Sequence, residues 1–370
     1  MKRSILLALL LSSPLRADDP YFPPPESKGG WRSLLPATGD PTPAQKAIIA
    51  KTGVDWDKLE EAWKVNAESD GSSGLVVIRN GTIVGEWYKD ADKAKAFNIY
   101  SSSKAYTSLA VGLLLADGTS KLTLDTKVCT AKRLPEALPL SDPRKADITL
   151  RHLLNMTSGI GPENVPAKAP FEVALGVTEK SPFAKLKSDP GKAFHYSNAG
   201  VAHLVLVFHQ AAGKDLSPFL KERLWTPIGV ETVRWEQIGG KGDLGPLSQG
   251  FSGIFTTPRE HARFCYLALH KGEWAGKRVV PSAHYDFAWT GTKAKADYGA
   301  QWWLADHFKG AGAPKDFVAT LGAFHNDGFV VPSLDLVVVR LGNSRKFPKD
   351  FERRLVEKVL AAVKPGKAKE

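Results

Sequence analysis

Strand-like segments stand near the two ends of this 370-residue chain, and helix-like segments fill most of the stretch between. That layout leaves few ways to close a core. It suggests one antiparallel sheet completed by both ends, with the middle as an inserted lobe. Near the start, residues 75–78 and 83–88 flank Asn80-Gly81. Asn-Gly between apolar runs predicts a tight hairpin, because both turn positions need positive φ. Towards the end, strands are expected over 301–305, 317–321, 329–331 and 336–341, the last two joined through Pro332-Ser333-Leu334-Asp335. Phe351, Leu355, Val359 and Val363 then mark one face of a closing helix.

Between these ends the spacing predicts a helix over 55–67 and another over about 102–116. Ala110, Val111, Leu113, Leu114 and Leu115 make the second apolar on nearly every side, so it belongs in the centre of the molecule. Gly118 stops it. Residues 120–255 show helical stretches at 150–156 and 199–212 among Pro- and Gly-bearing loops, and read as mostly helical. The expected organisation is therefore α+β. A leader covers 1–17 and an extended arm 18–45, a sheet lobe is made from 46–120 and 256–370, and a helical lobe from 121–255.

Lys2 and Arg3, the apolar run 5–11, Pro14 and the small Ala17 before Asp18 read as a secretory signal, which predicts a periplasmic or secreted protein. The run is too short to span a bilayer. Removing the leader takes Lys2, Arg3 and Arg16 with it, lowering the net charge of +11 by three. The remaining basic residues are scattered among acids, except for Lys364, Lys367 and Lys369 at the tail. No basic stripe or nucleic-acid module is visible. Cys129 and Cys265 lie far apart with no metal-like spacing, and suit either a disulfide or two packing thiols. No H-E-x-x-H and no G-x-S-x-G occurs, so neither a zinc protease helix nor an α/β-hydrolase elbow is present. No metal and no organic cofactor is expected.

Ser101-Ser102-Ser103-Lys104 opens the central helix and is the one S-x-x-K in the chain. Residues three apart share a helix face, so only Ser101 can lie beside the Lys104 amine. A lysine stripped of water loses its proton readily and can activate that serine as a nucleophile. Free N–H groups at the helix start can stabilise an oxyanion. Tyr196-Ser197-Asn198 is the one Y-x-N. Tyr196 offers an acid or base, its phenol pKa lowered if a cation is near, and Asn198 offers an amide to hold substrate or the lysine. His152 and His195 stand alone, and Trp302-Trp303 reads as a core-packing strand.

In this order and context the chain resembles the serine β-lactamase and penicillin-binding-protein superfamily. The likeness is to its branch of class C-like enzymes, D-alanyl-D-alanine carboxypeptidases, esterases and 6-aminohexanoate-oligomer hydrolases. The likeness runs over about residues 55–360. It rests on the S-x-x-K helix with its tail from Asp117 to Asp125, on ITLRHLLNMTSGI (148–160), and on FHYSNAG (194–200). SGIFTTPREHARF (252–264) and YGAQWW (298–303) extend it. The resemblance implies the same fold, with Ser101 as nucleophile and Lys104 and Tyr196 as its proton-moving partners. The substrate would be a small ester, amide or peptide. A literal Lys51-Thr52-Gly53 precedes Ser101 and is not the family's third motif. The positional counterpart is Gly322-Ala323-Phe324-His325-Asn326-Asp327-Gly328, which departs from K-T-G and H-x-G. His325 and Asn326 are expected to edge the site and bind substrate. The expected function is an exported serine hydrolase of an ester or amide. A carboxypeptidase, a β-lactamase or a catalytically degenerate sensor are the alternatives.

Overall fold

A computed structural model describes residues 21–165, 171–177, 180–239 and 245–364. The expected leader, the first residues of the arm, Lys367 and Lys369 lie outside them. Helix α1 (Trp56–Ala67) is capped by Asp55, whose carboxylate accepts from the Lys58 amide. Strands β1 (Ser73–Arg79) and β2 (Thr82–Lys89) form the expected hairpin, with Asn80 at φ 50° and Gly81 at φ 71°. Helix α2 (Ser103–Asp117) follows a 3-10 turn at Tyr100–Ser102 and ends at Gly118 in the left-handed region. Helix α3 (Asn198–Ala212) carries the Y-x-N segment, and α4 (Pro258–Leu269) leads back to the sheet. Strands β3 (Trp303–Leu304), β4 (Val318–Thr320), β5 (Asp327–Val331) and β6 (Leu336–Gly342) come next, then α5 (Phe351–Ala362).

The six strands form one antiparallel sheet in the order β3-β4-β5-β6-β1-β2. Its centre joins the two ends of the chain, with Ser73 opposite Gly342 and Arg79 opposite Leu336. Both faces are covered. Val76, Ile78, Val337, Val339 and Leu341 point into the core shared with α2, α3 and α4. Leu75, Val77, Leu336 and Val338 pack beneath α1 and α5. Burial on both faces explains why β1 and β6 read as continuous apolar runs rather than alternating ones.

Two expectations change. The strand expected over 301–305 shrinks to two residues because Gln301 sits at φ 67° and sends its amide to the carbonyls of Leu153 and Leu154. Short strands also occur where the sequence suggested none: Val233–Trp235 and Ile254–Thr256 pair with each other, and Phe97–Asn98 completes a second, three-stranded sheet. Strands of two or three residues carry no alternation for a sequence to display. The arm is tied down where it is described. The buried Arg263 guanidinium donates to the carbonyls of Pro23 and Pro24, and Trp31 Nε1 donates to the Arg259 carbonyl. It gives way to a helix at Pro43–Ala50 held by a Thr42/Gln45 capping box.

Candidate active site

The turn before α2 decides what each serine does. Tyr100 takes φ 46°, and its amide donates to Asn98 Oδ1. Ser102 Oγ then donates to the Asn326 carbonyl at 2.7 Å, and Ser103 Oγ accepts from the Ile254 amide. Both are spent on structure. Ser101 faces Lys104, whose Nζ stands 2.9 Å from Ser101 Oγ and donates to the Phe251 carbonyl at 2.8 Å. Thr107, one turn on, binds the Gly250 carbonyl, so α2 holds the 250–254 segment at three points.

Lys104 is 1% exposed and, among the described residues, has no carboxylate partner. Burial alone drives its pKa down to about 7. Its ammonium nitrogen lies 4.9 Å from the centroid of the Tyr196 ring. Tyr196 stacks on Trp303 and meets Tyr298 edge-on, which fixes the ring. The sequence suggested a phenol made more acidic by a cation. The structure shows the reverse: burial raises it to about 12, against a smaller lowering from its hydrogen bond with Ser101. The amine therefore titrates near neutrality while the phenol keeps its proton. Ser197 caps α3 by accepting from the Gly200 amide, so Asn198 occupies the first helical position with its side chain in the cleft. Among the described residues, Asn198 Oδ1 has no hydrogen-bond partner although it is buried.

Ser101, Tyr196 and Asn198 open into a cleft of about 440 Å³. Tyr100, Ala323, Phe251, Ser252, Glu236 and Gln249 also line it. His325 and Asn326 do not line it. Phe324 and His325 take φ 61° and 54°, and this reversal turns the His325 ring onto Phe347 and Phe351, towards α5. Asn326 is fully buried, with its amide donating to the Ala323 carbonyl and accepting from the Gly342 amide. Ala323 is the residue of that loop at the wall. Lys51-Thr52-Gly53 is also absent from the cleft. The Phe251 carbonyl, a backbone group, left no signature in the sequence. Glu236 had none either. Cys129 and Cys265 are both free and buried, and burial raises the Cys129 thiol to about 11, so they are packing thiols.

A beta-lactamase family model matches residues 64–362. No curated protein matches the sequence. Solved structures do. A penicillin-binding protein homologue from Caulobacter crescentus superposes with a TM-score of 0.66 at 14% identity, over 83% of this chain and 97% of that one. EstCE1, a hydrolase with promiscuous acyltransferase activity, gives 0.63 at 17%, over 85% and 99%. A protein from Bacillus anthracis described as a candidate 6-aminohexanoate-dimer hydrolase gives 0.64 at 18%, over 81% and 80%.

Proposed function

Since the chain belongs to the beta-lactamase family, we propose that it is an exported serine hydrolase that cleaves an ester or small amide through an acyl-enzyme on Ser101. One observation carries the reading: a water-poor lysine amine, 2.9 Å from a serine hydroxyl, whose pKa sits near 7. A neutral amine has one lone pair and two N–H bonds. With one N–H given to the Phe251 carbonyl, the lone pair is free to take the Ser101 proton.

Ser101 Oγ attacks the substrate carbonyl carbon and its proton passes to Lys104. The carbonyl oxygen takes up negative charge, for which the Ser101 N–H at the open helix start and the Ala323 N–H are the proposed donors. Tyr196, protonated at neutral pH, gives its proton to the leaving oxygen or nitrogen as the carbonyl reforms, and regains one from the Lys104 ammonium. Water then attacks the acyl carbon, passing a proton to Lys104, which returns it to Ser101 Oγ as the acid leaves. Asn198 Oδ1, without a hydrogen-bond partner among the described residues, is left to accept from a substrate N–H or hydroxyl.

An ester or amide is favoured over a β-lactam or a D-alanyl peptide by the cleft lining. Among the described residues its lining holds one acid, Glu236, and no lysine, arginine or histidine, and the loop that resembles the family's third motif presents Ala323 there, with no cation to receive a carboxylate. The family neighbour with acyltransferase activity supports an acyl-enzyme. The test is to express the full chain, recover it from the periplasm, and treat it with a fluorophosphonate. A labelled peptide containing Ser101, an intact mass beginning at Asp18, and p-nitrophenyl ester turnover lost in Ser101→Ala are the expected results. Label at another residue, or no label on folded protein, overturns the assignment; silence with ligand-induced stabilisation would indicate a sensor.

A further inference from the structure

On the face of the sheet away from the cleft, His325, Asp327 and Glu352 bring one nitrogen and two carboxylate oxygens within 4.8 Å of one another. His325 Nδ1 lies 3.6 Å from Asp327 Oδ2 and 3.7 Å from Glu352 Oε2. Both separations are too long for hydrogen bonds. They suit a different purpose. A point equidistant from three atoms so spaced lies about 2.1–2.4 Å from each, which is the ligand distance of a divalent metal bound by imidazole and carboxylate.

The Asp327 carboxylate is also held from behind. Asp327 Oδ1 accepts from the Gly322 amide at 3.1 Å, while Oδ2, on a side chain 1% exposed, has no hydrogen-bond partner among the described residues. Glu352 Oε1 faces His307 Nε2 at 3.8 Å, an ion-pair distance and no hydrogen bond, while Oε2 faces the cluster. The His325 ring packs against both Phe347 and Phe351. A second partner that orients a donor and leaves one atom free, as Gly322 does for Asp327, is a usual support of a metal site. The nearby Arg340 guanidinium does not fill the gap, because it donates to the carbonyls of Phe324 and His325, to Asn66 and to Ser344.

We propose that His325, Asp327 and Glu352 bind one divalent transition metal, zinc being the best match to one nitrogen and two oxygens, with water completing the coordination. His325 and Glu352 are part-exposed, which gives the ion a way in. The ion would pin the 322–327 loop, whose Ala323 lines the cleft, to the first turn of α5.

The test is calorimetric titration of chelator-stripped, full-length mature protein with zinc chloride, beside thermal melts. One ion per chain and a melting point raised by several degrees are expected. Glu352→Gln and His325→Asn, each folded by far-UV circular dichroism, should weaken binding at least tenfold, and Ser101→Ala should leave it unchanged. Should His325→Asn not fold, Glu352→Gln alone carries the comparison, since its side chain lies at a helix surface. Absence of binding by the parent chain, or equal binding by folded Glu352→Gln, overturns the site. In either event His325 is an imidazolium paired with two carboxylates.

Discussion

Lys104, the proposed base, has a lowered pKa because the fold takes its water away, with no counter-charge among the described residues. Its amine loses its proton as pH rises through about 7. The proposed chemistry needs the neutral form, so kcat/KM for an uncharged ester should climb about tenfold per unit below that value and level off above it. A profile measured from pH 5 to 9 checks this, and a flat profile would refute the role. Arginine cannot be deprotonated, so Lys104→Arg should leave only a small residue of the rate at every pH. The sequence displayed this pair well, since spacing three on a helix is local information. It displayed the opposite wall badly. Asn326 and His325 are near Ala323 in sequence, but two successive left-handed residues send one side chain into the core and the other to α5. Direction of that kind depends on φ, and two bulky residues there give no warning of positive values. Tyr196 was found by its motif, while the sign of its shift followed from burial that only the assembled cleft reveals.

Among elements, those with a long period or a strong turn signal were legible: α1, α2, α3, the first hairpin and α5. Gly81 shows why the hairpin announces itself. At φ 71°, an added Cβ would meet the Tyr266 hydroxyl at 2.7 Å and the Tyr21 carbonyl at 2.9 Å. Gly81→Ala should cost about 1–2 kcal/mol through strain and crowding. A lowered urea midpoint with unchanged turnover per folded molecule would bear this out. The second sheet escaped notice, and it matters to the site. Ile254–Thr256 follows directly on the segment that gives Lys104 its carbonyl partner. The SGIFTTP stretch drew attention through family likeness rather than through any periodicity of its own.

The molecule as a whole depends on its last helix. Phe351, Leu355, Val356 and Val359 are buried beneath α5 against α1 and the outer face of the sheet. Four such side chains are worth about 6–12 kcal/mol of burial, comparable with the entire stability of an ordinary domain. A chain ending at Asp350 should therefore lose its near-UV circular dichroism and its cooperative urea transition. Retention of both would show that α5 is an accessory. The arrangement of the sheet has a further effect, in time rather than space. Residues 73–79 find their central partner only at 336–342, so the middle of the sheet cannot zip until residue 342 has been made. Contacts so distant along the chain slow folding. A nascent chain that stays open is one that a secretion channel can still thread. If the leader works as we propose, the topology itself delays closure until the protein has crossed, and a leaderless copy would spend that interval in the cytoplasm with unpaired strands exposed to its neighbours.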